Sequence, residues 1–286
     1  MVAAVIFGPG FFASPAVHVA LIIGAVVAVT SGPVGVFTVL RGQSFAGHSL
    51  SDVGSTGGSA AYLMGIGALW GFIGMGAIAA AAMELIGVRQ ARGRDLATGV
   101  VLGASLGLSA LFLYWDTTTG STTGATINVL FGSIYTLDSS TVVPVAIFGA
   151  LAIAILALLY RPLLLSSLGA DLAAARGVSV RLVGVGFFAA LVLAVSLSAL
   201  TIGAILSTAL LIGPAATAMR ITRRPGAAMV AAAVVGMAAT WLGVLLSWDS
   251  YYWGGSHHGW PVSFFVVTLI FVFYLLSGIR RRGSGR

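Results

Sequence analysis

The chain has 286 residues, 59% of them hydrophobic and 7% charged, with a mean hydropathy of +1.08. Soluble domains carry about 25% charged residues, so this composition excludes one and marks an integral membrane protein. Its net charge of +7 comes from 14 arginines against 7 acidic residues, with no lysine and no cysteine, which excludes disulfides, thiolate metal ligands, a Cys nucleophile and a GxxxxGK[ST] phosphate loop.

Apolar stretches of about 20 residues suit spanning helices better than the shorter alternating strands of a barrel. They predict an all-α, polytopic bundle, and no polar stretch is long enough for a second core, so residues 1–286 are expected to form a single transmembrane domain. The amino terminus has no basic region ahead of its first apolar run, so a cleaved signal peptide is not expected.

A first span is predicted at 15–40, ending at Arg41. Two follow within 45–88, split near Gly65–Ala68, and lead to Arg89, Arg92 and Arg94. Residues 95–160 hold two more, separated by the Ser/Thr/Gly-rich stretch from Asp116 to Gly124. The segment Ala125 to Leu137 is too short to cross and is expected as a re-entrant or interfacial helix. Residues 182–219 hold two tightly spaced stretches, and 225–279 two more around the loop Trp248 to Pro261. The total is eight or nine spans. Only 38 residues separate Arg181 from Arg220, so one of that pair is expected to be broken; Leu200 to Met219, with Gly203, Gly213 and Pro214, is the candidate.

Pairs of crossings return every arginine cluster to one face, which the positive-inside rule makes cytoplasmic. The amino terminus is then outside and the arginine-rich carboxy-terminal tail inside. This scatter of arginines at the ends of apolar segments argues against nucleic acid as a partner.

Four groups of residues carry candidate chemistry. Inside the polar segment 37–65, whose glycines are expected to break its helix, His48 and Asp52 stand four residues apart. On a helix that spacing puts both on one face, where imidazole and carboxylate suit a divalent cation such as zinc or manganese. Ionisable groups at membrane depth usually mark a transport path. In the loop after Trp248, Asp249, His257 and His258 are candidates for metal contacts at the outer mouth, among the interfacial aromatics Tyr251, Tyr252, Trp253 and Trp260. Asp116 and Asp138 are expected in outer loops. The stretch Leu168 to Arg181 needs a helix outside the membrane, because Asp171, Arg176 and Arg181 are costly in lipid.

Several blocks in order resemble the metal-cation ABC-transporter permeases, the membrane subunits of zinc, manganese and iron importers. They are Val39-Leu-Arg-Gly-Gln-Ser-Phe-Ala-Gly-His-Ser-Leu-Ser-Asp52 with Gly57-Gly-Ser-Ala-Ala-Tyr-Leu-Met-Gly65, Leu130-Phe-Gly-Ser133, Tyr160-Arg-Pro-Leu-Leu164, Ala173-Ala-Ala-Arg-Gly-Val-Ser-Val180, Ser196-Leu-Ser-Ala-Leu-Thr-Ile-Gly203 and Ala209-Leu-Leu-Ile-Gly-Pro-Ala-Ala-Thr-Ala218. The family usually has Asp first and His four residues later; here the order is exchanged, and Ser55-Thr56-Gly57 stands where many relatives have Leu-Pro-Gly.

The resemblance implies a type II ABC importer-like bundle in the plasma membrane, with His48 and Asp52 as the metal ligands. It also implies a coupling segment at 168–181, in which Asp171, Ala173, Arg176 and Gly177 meet the ATPase. The implied partners are a cytoplasmic ABC ATPase, an extracytoplasmic metal-binding protein and a second permease copy. No cofactor beyond the transported ion and no covalent chemistry are implied. Rival classes are an ion-coupled secondary transporter, an ABC permease for a chelated metal, and an intramembrane Ser/His hydrolase; the last lacks a Gly-x-Ser-x-Gly elbow and an HExxH motif.

Overall fold

The computed structural model describes residues 7–86, 91–119, 124–132, 134–253 and 259–283. Its helices are α1 (Pro15–Leu40), α2 (Ser44–Leu63), α3 (Ala68–Ile86), α4 (Ala91–Thr119), α5 (Ala125–Phe131), α6 (Val142–Leu168), α7 (Ala170–Ala175), α8 (Val180–Ile202), α9 (Ala204–Ile221), α10 (Pro225–Ser250) and α11 (Val262–Gly283). Among the described residues nine of them, all but α5 and α7, have 18 residues or more. Six are long and apolar enough to cross a membrane; α3 and α11 contain shorter apolar runs, and α2 has the length without the hydropathy.

The helices α1 and α8 form the centre, with 67% and 78% of their apolar windows buried, while α4 and α6 lie at the periphery with 22% each. Lipid tails give no hydrophobic drive between helices, so close packing depends on small residues. Gly32 lies against the backbone of Ala232 and Ala233 in α10, and Gly35 against the carbonyl of Leu211 in α9. Between α1 and α8, Ser31 Oγ meets Ser198 Oγ at 2.8 Å.

The arginine-bearing helix ends gather together. Arg41 closes α1 and bonds Ser166 near the end of α6, while Arg220 near the end of α9 stacks on Tyr274 of α11 and bonds its hydroxyl. At the opposite end Phe7, Phe11, Phe12 and Trp248 form an aromatic cluster over the end of α10.

Two expectations are corrected and a third is narrowed. The glycine-rich segment after Arg41 is one unbroken helix of 20 residues. It lies between two turns that share one hydrogen-bond pattern: Gly42 (φ 64) with Gln43 N–H on the Thr38 carbonyl, and Gly65 (φ 67) with Ile66 N–H on the Ala61 carbonyl. The break expected within Leu200 to Met219 falls at Gly203 (φ 88), the single residue joining α8 to α9, while α9 itself runs unbroken through Gly213 and Pro214. A side chain there would collide with the Leu130 carbonyl at the end of α5. Finally, α4 continues helical through Asp116, which is buried near its end, instead of turning into a loop there.

The segment Ala125 to Leu137 contains the seven-residue α5 and a 3-10 turn at Ile134–Thr136. Its contacts with α2, α4, α8 and α9 carry it into the bundle, as a re-entrant element would be.

Candidate functional site

The polarity of α2 divides by direction. Towards α3 the helix presents glycine: Gly57 and Gly71 approach so closely that a Cβ on either would collide with the other's carbonyl, and Gly58 faces the Phe72 ring. Towards α4 it presents hydroxyls. Thr56 Oγ1 donates to the Ser105 carbonyl at 2.7 Å, and Ser55 and Ser59 meet Ser109 Oγ at 3.2 and 3.1 Å. Towards α9, Ser51 Oγ donates to the Ala204 carbonyl at 2.7 Å and lies 2.5 Å from Ser207 Oγ. All these hydroxyls are buried and bonded inside protein.

The remaining face holds His48 and Asp52. Their positions on a continuous helix bring His48 Nε2 to 3.4 Å from Asp52 Oδ2, with side-chain exposures of 45% and 12%. Phe45, one turn earlier, is also exposed. The other ring nitrogen, Nδ1, is 3.0 Å from Thr208 Oγ1 on α9. Thr208 therefore fixes the ring plane. Four residues into α2, at 1.5 Å per residue, His48 lies roughly 6 Å along the axis from the arginine-bearing end. Among the described residues no group of three or more His, Cys, Asp or Glu comes together, at this pair or elsewhere.

Asp249 is not in an open outer loop. It belongs to the last turn of α10, is 2% exposed, and accepts hydrogen bonds from the backbone N–H groups of Phe7 (3.2 Å) and Gly8 (2.7 Å). The carboxylate thus ties the amino-terminal segment down, and Tyr252 adds a bond from its hydroxyl to the Pro9 carbonyl. His257 and His258 lie outside the described residues. Tyr251, Tyr252 and Trp260 line a cavity of about 780 Å³ together with Tyr135, Trp248 and Phe131, and Gly132 and Thr201 place it beside the α8–α9 junction. His48 and Asp52 are not among its lining residues.

In the stretch 168–181, α7 carries exposed Asp171 and fully buried Ala173. Exposed Arg176 caps it, and Gly177 (φ 75) reverses the chain into α8 with Val178 N–H on the Ala173 carbonyl. The side chain of Ser179 caps α8 through Leu182 N–H at 3.5 Å.

Thr208, Ser51 and Ser207 did not stand out in the sequence. The signal was the Ser207-Thr208 pair in the segment around 203–217, whose contact with the more polar 47–59 segment only the fold reveals.

Residues 14–278 match the ABC 3 transport family. The chain belongs to that family. It is 30% identical over 230 residues to the manganese transport system membrane protein MntC of Listeria monocytogenes, covering 80% of each chain. It is 28% identical over 257 residues to the chelated iron transport system membrane protein YfeC of Yersinia pestis, covering 90% of this chain and 83% of that one. Among solved structures, PsaBC from Streptococcus pneumoniae in complex with Fab superposes with a TM-score of 0.80 at 25% identity, over 94% of this chain and 92% of that one. With its six apolar helices of spanning length, this ABC 3 family member is a multi-pass membrane protein.

Proposed function

We propose that the chain is the permease subunit of a plasma-membrane ABC importer that moves a divalent metal cation, with manganese, zinc and iron as the candidate ions. The observation that carries this is the pair His48 and Asp52 on the one open face of an otherwise internally bonded polar helix. A carboxylate in a spanning helix costs about 3 kcal/mol on insertion scales, so it persists where it has work to do.

The pair's separation of 3.4 Å is long for a charge-assisted hydrogen bond of about 2.7–2.9 Å. It suits two ligands of one ion: donors about 2.0–2.2 Å from a metal and this far apart subtend roughly 100–115° there. Nδ1–H donating to Thr208 would leave the Nε2 lone pair for the ion, the arrangement that orients metal-bound histidines generally. Two protein donors hold an ion weakly, which favours release. The exposure of His48, Phe45 and Ile205 beside it is consistent with a second permease copy facing this side and presenting its own pair.

ATP would be bound by separate subunits seated against α7, where Asp171 and Arg176 are exposed and Ala173 anchors the helix to the bundle. An extracytoplasmic metal-binding protein would deliver the ion to the aromatic cavity at the opposite end. The chain itself would do no covalent chemistry. Radioactive manganese, zinc and iron uptake by cells expressing His48→Ala or Asp52→Ala is expected to fall to background; unchanged uptake at normal expression would remove the site. A chelated metal as cargo is favoured by one observation, the roughly 780 Å³ cavity lined by aromatic rings, whose volume suits a small organic ligand. Uptake that requires a chelator would select that cargo.

A further inference from the structure

Arg41 is more than a basic residue at a helix end. Its guanidinium donates from Nη1 to Ser166 Oγ at 2.7 Å and stacks over the fully buried Phe187 ring at 5.3 Å. One side chain from α1 therefore touches α6 two residues before its end and α8 two turns after its start. Ser166 is followed within four residues by α7.

On its other side Arg41 leads directly into α2. It is the C-cap of α1, and the turn after it is fixed by Gly42 N–H on the Val39 carbonyl and Gln43 N–H on the Thr38 carbonyl. Ser44 then begins the helix that carries His48 and Asp52. Among the described residues α2 has no substantial packing against α6 or α7. A displacement of α7 must reach α2 through intermediaries, and Arg41 joins α6 and α8 to the turn that starts α2. Buried Leu163, Phe187, Phe37, Leu50 and Val53 share one apolar cluster around this junction, so the link is embedded in packed side chains.

Resting on the importer function proposed above, we infer that Arg41 is the positioning residue that transmits movement of the ATPase-contacting helix α7 to the metal-bearing helix α2, through Ser166 and the face of Phe187. It touches no cargo. Its work depends on a planar guanidinium that can bond a hydroxyl and stack on a ring at once, which lysine cannot reproduce.

The chain lacks cysteine, so Phe45→Cys places a single thiol on the exposed face of α2. The permease–ATPase complex carrying this thiol is reconstituted in liposomes, with manganese as the cargo probe. Maleimide labelling with and without ATP and vanadate, ATP hydrolysis, and manganese moved per ATP are all measured. In the Arg41→Gln variant the labelling response to nucleotide is expected to vanish while hydrolysis continues, and manganese per ATP to fall about tenfold, within the usual range for coupling between sites. Arg41→Lys should behave like Arg41→Gln, Ser166→Ala should show the same defect more weakly, and Arg41→Gln with Ser166→Ala should be no worse than Arg41→Gln alone.

A full response in Arg41→Lys would make the residue a charge anchor and overturn the inference. Should Arg41→Gln fail to assemble, Ser166→Ala decides, since it leaves every charge in place, and a wild-type response there overturns the link. A parent complex whose thiol responds to nucleotide but which moves no manganese removes that cargo and leaves the link standing. No response to nucleotide in the parent complex overturns the link and the coupling role of α7 together.

Discussion

The side of α2 that faces α4 and the open edge beside α9 are both polar, and they have opposite consequences. Towards α4, Ser55, Thr56 and Ser59 are bonded to Ser105 and Ser109. Towards α9, His48 and Asp52 keep an opening, with Thr208 bonded to the far nitrogen of the ring. The polar residues of this helix thus divide into those that replace the missing hydrophobic drive between helices and a pair that keeps an exposed edge.

The comparison breaks most completely if α2 loses its seat. In Gly57→Val the new side chain would drive into the Gly71 carbonyl and the Met75 side chain, with no flexible tip to yield on the backbone side. Overpacking of this kind costs about 3 kcal/mol or more, and detergent-solubilised protein should elute as aggregate or melt far earlier than the parent. Next comes Asp52→Asn, which keeps the volume and removes the charge. Uptake of divalent metal is expected to fall by roughly a hundredfold, with expression and melting temperature close to the parent, because loss of a directly bound ligand should exceed the roughly 10–100-fold of second-shell changes. If Asp52→Asn instead destabilised the protein and spared uptake, Asp52 would belong with the serines facing α4.

Much of this was legible in the sequence. Nine apolar or near-apolar stretches, the pause at Gly65–Ala68, the non-crossing segment after Leu168 and the turn at Gly177 all follow from length, charge and glycine placement. Glycine misled in two places. The run Gly54, Gly57, Gly58 looks helix-breaking, yet it serves close approach to α3, which no local rule separates from flexibility. Of the three residues that marked Leu200 to Met219 as broken, Gly213 and Pro214 lie in a continuous helix, since a proline in a packed spanning helix can be accommodated, and the chain turns at Gly203, where α5 leaves no room for a side chain. Asp249 failed for a different reason: its partners, the amides of Phe7 and Gly8, are more than 240 residues away in sequence. A carboxylate beside tryptophan and tyrosine looks interfacial until the strap that buries it is known.

Thr208→Val sharpens the same contrast from the α9 side. The isosteric change removes the hydroxyl that holds His48 Nδ1, so the ring can turn away from Asp52. Metal affinity is expected to weaken about tenfold, the low end for an outer-shell partner, while folding is nearly untouched. Isothermal titration with manganese on purified permease reads the change directly. An affinity equal to the parent's would place the ring under the control of α2 alone.

The smallest effect is expected on the closed side, at Ser109→Ala. Hydrogen bonds between spanning helices average about 0.6 kcal/mol, because the separated helices also find partners for their hydroxyls. Ser55 Oγ still donates to the Asp52 carbonyl at 2.6 Å and Ser59 Oγ to the Ser55 carbonyl at 2.8 Å, so removing Ser109 Oγ orphans neither. Stability should therefore drop by no more than about 1 kcal/mol, and metal uptake should match the parent. A large loss of uptake with intact folding would mean that ions or water reach the α2–α4 seam, and that the open face beside α9 is only one of two wet surfaces on this helix.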